Sequence, residues 1–147
     1  MKKALLIIIA ASAFFPLCMH AQSGLNINKI FTDHYRDMKG ATETMVVKDQ
    51  LRNMNLSLYH SITFKDHPEL GGTIERLVAA DGAKAASKEV RYKNGHLYYG
   101  FYSLGATAGG LNRYIIYLNG HLNGDNRIML LFLEGKAKSE QVKKMLK

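Results

Sequence analysis

The sequence has one cysteine, at position 18, and only two prolines. If the chain is cleaved after Ala21, as its N-terminus implies, the mature protein has no cysteine at all. That excludes disulfides, thiol nucleophiles and thiolate metal sites together. No HExxH or comparable ligand spacing occurs, and no Gly-Lys-Ser/Thr ending turns the glycines at 105–110 into a phosphate loop. There is no internal repeat and no low-complexity tract. After the first 21 residues no apolar run approaches the roughly 20 residues that a transmembrane helix requires. What is present is 147 residues, 47% hydrophobic and 22% charged, a composition and length that fit a single small globular domain, placed at residues 22–147.

Residues 1–21 carry Lys2-Lys3, an apolar run from Ala4 to Phe15, and Ala21 before Gln22. This charged, apolar, then cleavable layout is that of a secretory signal peptide, so the protein is expected to be exported to the periplasm or beyond. Cys18 supplies an alternative, a lipid-bearing cysteine, against which the bulky Leu17 counts. The formal net charge is +8; loss of Lys2 and Lys3 leaves +6, of which Lys136, Lys138, Lys143, Lys144 and Lys147 against Glu140 account for +4. The basicity is therefore mostly a C-terminal tail, suited to weak contact with an anionic membrane surface and ordinarily a solvated helix face. Nucleic acid is a poor partner for an exported chain.

Periodicity gives the elements. Ile27, Ile30, Phe31, Tyr35 and Met38 recur at helical spacing from Leu25 to Gly40, with Asn26 placed to cap the start. Thr44–Val47 reads as extended and Lys48–Met54 as one or two helical turns. From Leu56 to Phe64 apolar residues alternate strictly, which predicts a strand with one buried face. Asp66-His67-Pro68-Glu69 has the form of a capping box opening a helix that buries Leu70, Ile74, Leu77, Val78 and Ala85. Gly71-Gly72 in its first turn weakens the helix and predicts close packing on the sheet, or an anion-binding helix start. Lys88–Lys93 and His96–Leu104 form a hairpin about Asn94-Gly95. Asn112–Asn119 and Arg127–Glu134 form a second, and Ser139 is placed to cap a short C-terminal helix. The fold class predicted is α+β: an antiparallel, or mixed, sheet of five to six strands, two helices on one face, and a short C-terminal helix.

The string Ser61-Ile62-Thr63-Phe64-Lys65-Asp66, the strand with Tyr98-Tyr99-Gly100-Phe101-Tyr102, the Asn112-Arg113-Tyr114 to Leu118-Asn119 strand, and Leu133-Glu134-Gly135-Lys136-Ala137 resemble a family of small exported Bacteroidota proteins that carries only a domain-of-unknown-function label. The Ala-Gln junction is similar to signal peptides of that phylum. The resemblance spans nearly all of the mature chain and supplies a setting but no catalytic residue; separately, the sequence leads to the expectation of no cofactor.

Two sets of residues are candidates for function. His60 falls on the apolar row of its strand and His34 on that of the first helix. If the helix packs on the strand, the two imidazoles would meet and suit zinc or general-base chemistry; the structural alternative is two hydrogen-bonded boundary residues. Six of the 8 tyrosines lie between Tyr92 and Tyr117. Tyr98 and Tyr102 flank Gly100 on one strand face, and Tyr117, Arg113 and Arg127 lie on neighbouring strands. An aromatic and arginine sheet face left open by the helices would bind protein or sugar; alternatively the rings pack across strands over a glycine gap. The function expected is an exported, non-enzymatic interaction module whose partner is an envelope protein, a peptide or a second copy of itself. A small hydrolase or metal-dependent enzyme built on His34 and His60, and a purely structural envelope protein, are the alternatives.

Overall fold

The alternation from Leu56 becomes strand β2 (Leu56–Lys65) of a computed structural model that describes residues 24–147. The proposed signal peptide and Cys18 lie outside the described residues. In chain order the elements are helix α1 (Asn28–Thr32), β1 (Ala41–Val47), β2, helix α2 (Leu70–Gly82), β3 (Ser87–Lys93), β4 (His96–Ala106), β5 (Asn112–Asn119), β6 (Arg127–Gly135) and helix α3 (Ser139–Met145). Short 3-10 segments occupy His34–Asp37, Lys48–Met54 and Gly120–Asn123.

The six strands form one sheet in the order β1-β2-β6-β5-β4-β3, antiparallel throughout. After β2 the chain crosses the sheet as α2 and returns as a four-strand meander, β3 to β6, until β6 pairs with β2. The α+β architecture read from the sequence is the one observed, with six strands and no parallel pair among the described residues. Asn94 and Gly95 supply the successive positive φ angles, 53° and 79°, that a tight hairpin turn needs. Among the described residues no helix is long and apolar enough to cross a membrane.

Each sheet face has its own core. On one, α1 and α2 bring Ile27, Ile30, Phe31, Leu70, Ile74 and Val78 onto Ile62, Phe64, Ile115, Tyr117, Leu130 and Phe132. On the other, the Lys48–Met54 segment and α3 contribute Leu51 and Val142 to a cluster with Phe101, Tyr114, Leu131 and Leu133. Burial of each such side chain is worth about 1.5–3 kcal/mol, so both faces are stabilised from within the chain.

Four local readings are corrected. The first helix does not run to Gly40: it stops at Thr32, where Asp33 turns extended (φ −83°, ψ −172°), and resumes as a 3-10 turn. Thr32 and Asp33 are weak helix formers, and the Thr32 hydroxyl donates back to the Asn28 carbonyl at 2.9 Å. Its cap is not Asn26. The buried carboxylate of Asp81, on α2, accepts from the backbone N–H groups of Asn26 (2.7 Å) and Ile27 (2.9 Å) and from Asn26 Nδ2 (2.9 Å). The capping box at Asp66 does not form either. Asp66 sits at φ 63° and binds Asn126 Nδ2 at 2.9 Å, while Glu69 turns to His67. The first amides of α2 are met by backbone carbonyls of His67 and Pro68. At α3 the cap position is Lys138, not Ser139, and Gln141 Oε1 accepts the Lys138 N–H at 3.0 Å. Gly71 does pack closely: a Cβ there would lie 2.8 Å from Asn119 Nδ2, whereas one on Gly72 would meet nothing.

Candidate functional site

The β1–β2 register sets Met45 opposite His60 and Glu43 opposite Ile62, so Glu43 and His60 project from the same face of neighbouring strands. His60 is buried, its ring 4.1 Å from that of Phe31, and its Nε2 lies 2.6 Å from Glu43 Oε1. The second Glu43 oxygen accepts from Arg36, at 2.8 Å from Nη2 and 3.0 Å from Nε. Burial pushes the Glu43 carboxyl up, but the hydrogen bonds from His60 and Arg36 outweigh it and hold the group below its ordinary value. Arg36 is the exposed end of the cluster and His60 the covered end.

His34 is not part of it. The helix ends before residue 34, so the helical row that would carry His34 toward His60 is broken, and His34 is exposed and stacked on Tyr35 with ring centroids 4.6 Å apart. Among the described residues no three His, Cys, Asp or Glu side chains are grouped to share a metal ion. Glu43 and Arg36 were not singled out by sequence because their partnership with His60 depends on strand register and on the turn at Asp33.

The expected tyrosine face is also rearranged. Tyr98 is the extra residue of a bulge, since Arg91 pairs with Tyr99 and Tyr92 with Leu97. That bulge breaks the alternation and turns Leu97 into the helix-covered core. Tyr102 and Tyr117 point to the same helix-covered face and are 3% and 0% exposed, so neither offers a surface. Tyr102 is wedged between two glycines: a Cβ on Gly100 would lie 2.6 Å, and one on Gly82 2.3 Å, from its ring. Burial pushes its hydroxyl up to about 12. Tyr117 donates to the Gly71 carbonyl at 3.3 Å and burial likewise raises its pKa. These rings pack across strands over a glycine gap.

Arg113 is half-buried opposite Glu134, and its Nε meets no hydrogen-bond partner among the described residues. Burial raises the Glu134 carboxyl, and the Arg113 charge only partly offsets this. Arg127 is exposed and paired with Asp125 at 3.3 Å. At the end of the sheet where β2 begins, a groove of about 290 Å³ is lined by Lys48, Arg52, Lys136, Ser57 and Leu111; Arg52 there already pairs with Asp49 at 2.9 Å.

The aromatic and cationic surface that is available lies on β3, an outer strand whose strand partner is β4. Tyr92 is 61% exposed, the most exposed large hydrophobic residue among the described residues. The Arg91 guanidinium sits 5.2 Å above the Tyr99 ring, and Lys143 sits 5.4 Å above Phe101 and 3.4 Å from Glu89. The outer strand β1, by contrast, is flanked by 3-10 segments at both ends. Sequence alternation located β3 but not its edge position, which only the strand order reveals.

An open six-stranded antiparallel sheet, with helices on one face and a short C-terminal helix on the other, defines a small α+β domain. The chain matches, over residues 14–146, the model of a family described as Family of unknown function (DUF6108), and it belongs to that family. Neither the curated proteins nor the solved structures provide a significant match.

Proposed function

We propose that this chain is an exported, non-enzymatic interaction module that docks a partner along the β3 side of its sheet. The observation that carries the reading is an outer strand bearing an exposed Tyr92 beside Arg91, which is itself stacked on Tyr99. Exposed aromatic and arginine side chains next to an unpaired strand edge are the elements of β-strand addition: backbone hydrogen bonds supply affinity and side chains supply choice. The partner is an envelope protein, an exposed peptide or a second copy of the chain.

Export rests on the Lys2-Lys3, Ala4–Phe15 and Ala21-Gln22 layout, with residues 1–21 as signal peptide and Bacteroidota as the setting. The C-terminal lysines add weak attraction to anionic lipid. The enzyme alternative draws on the 2.6 Å Glu43–His60 contact; burial of His60 under Phe31 favours a structural role for that pair.

Native mass spectrometry of the protein recovered gently from its envelope fraction tests the reading. A stable complex, or a mass above that of the Gln22–Lys147 polypeptide, is expected. A bare monomer would contradict stable docking.

A further inference from the structure

We propose that β3 is self-complementary, and that a second copy of this chain adds its own β3 antiparallel to it, joining two six-stranded sheets into one. The inference rests on the interaction reading above and names its partner.

A twofold axis perpendicular to the sheet keeps every residue on its own face, so each residue must oppose one of the same face. On β3, Glu89 and Arg91 lie on the α3 side, paired with Phe101 and Tyr99, while Lys88 and Val90 lie on the α2 side, paired with Tyr102 and Gly100. Tyr92 follows Val90 by two and shares its side. Five registers, centred on residues 88 to 92, satisfy the symmetry. Centring on Lys88, Glu89 or Arg91 sets that charge directly against its own copy. Centring on Tyr92 sets Arg91 against Lys93. Centring on Val90 alone avoids every like-charge pair: Glu89 faces Arg91 twice, Lys88 faces Tyr92 twice, Lys93 faces Ser87, and Val90 meets Val90. Opposite charges and cation–aromatic pairs directly across strands are favourable, and like charges there are unfavourable. An in-register parallel pairing would instead repeat each charge beside its copy.

Proteins blunt outer strands with lysine to stop sheets joining. Here the charges have mixed sign and a symmetric order, so they reject other registers and admit one. The docked copy would also bring its Lys88 over the exposed Tyr92.

Sedimentation velocity against concentration, on the protein as isolated from its cells, is the test. A monomer–dimer equilibrium is expected. Arg91→Glu sets Glu against Glu89 twice and should weaken it by at least about tenfold. The reciprocal swap, Glu89→Arg with Arg91→Glu, should restore it. A register-specific readout is independent of these: the proposed mature chain lacks cysteine, so Val90→Cys should form a covalent dimer under mild oxidation and Tyr92→Cys should not. A monomer at every concentration, an Arg91→Glu dimer as tight as the original, or equal cross-linking at 90 and 92 overturns the self-pairing. A different protein found in the native complex would overturn the self-pairing and leave the interaction reading standing.

Discussion

Glu43 Oε1 lies 2.6 Å from Nε2 of the buried His60, and the other oxygen of the same carboxylate is held by Arg36. One carboxylate thus ties the outer strand β1 to β2 and to the turn after α1. Its folded pKa is depressed, so the stability it contributes is present above the ordinary value of 4.5 and is lost as pH falls through the lower folded value. Glu43→Gln should lower the unfolding free energy near neutral pH by about 1–3 kcal/mol and flatten the acid side of the stability profile. Urea titrations of the wild type, Glu43→Gln, His60→Gln and the double variant should give a coupling of at least about 0.5 kcal/mol. Additive single effects would show that the pair contributes nothing.

Tyr102 fills the gap between α2 and β4 because Gly82 and Gly100 leave it room. Gly82→Ala should destabilise by about 1–3 kcal/mol through overpacking, more than helix propensity returns, since alanine in a helix interior gains only about 1 kcal/mol over glycine. Gly72→Ala, where a Cβ meets nothing, should stabilise. Thermal melts of the two variants moving in opposite directions check this; two rises in Tm would contradict the wedge.

His67 has Glu69 Oε1 2.6 Å from Nδ1 and the Lys39 carbonyl 2.6 Å from Nε2. A neutral imidazole has one N–H, so both contacts are hydrogen bonds only in the protonated ring. The Glu69 bond, then the Lys39 carbonyl, raise the folded pKa. The associated stability is therefore full below 6.5 and is lost as pH rises through the folded value. An NMR titration should place His67 above 6.5, and His67→Gln should remove that alkaline decline in Tm. A midpoint below 6.5 would contradict the arrangement.

The contrast between β2 and Tyr98 shows what the sequence made legible. The alternation from Leu58 to Phe64 and the Asn94-Gly95 turn are local signals, and the structure follows them; Leu56 departs from the row, because a bulge between it and Leu58 sends it to the opposite face. The bulge at Tyr98 is a pairing event with β3, invisible in one strand, and it moved Leu97 to the α2 side, while Tyr102 leaves the surface because α2 packs over its face. Likewise His60 was visible as a polar residue in an apolar row, but Glu43 is 17 positions away and becomes its partner only through register. The caps at Asn26 and Asp66 were displaced because tertiary groups, Asp81 and Asn126, offered better hydrogen bonds. The edge position of β3 follows from α2 carrying the chain across the sheet, which strand patterns alone do not encode.

β3, on the reading proposed above, is the contact surface of the molecule. A photo-crosslinking residue placed at Tyr92, and separately at Thr42 on the opposite outer strand β1, tests it in living cells, since both positions are exposed. A discrete adduct is expected from position 92, at twice the protein's mass if the partner is a second copy, and none from position 42. No adduct at 92, or equal adducts at both edges, would contradict it.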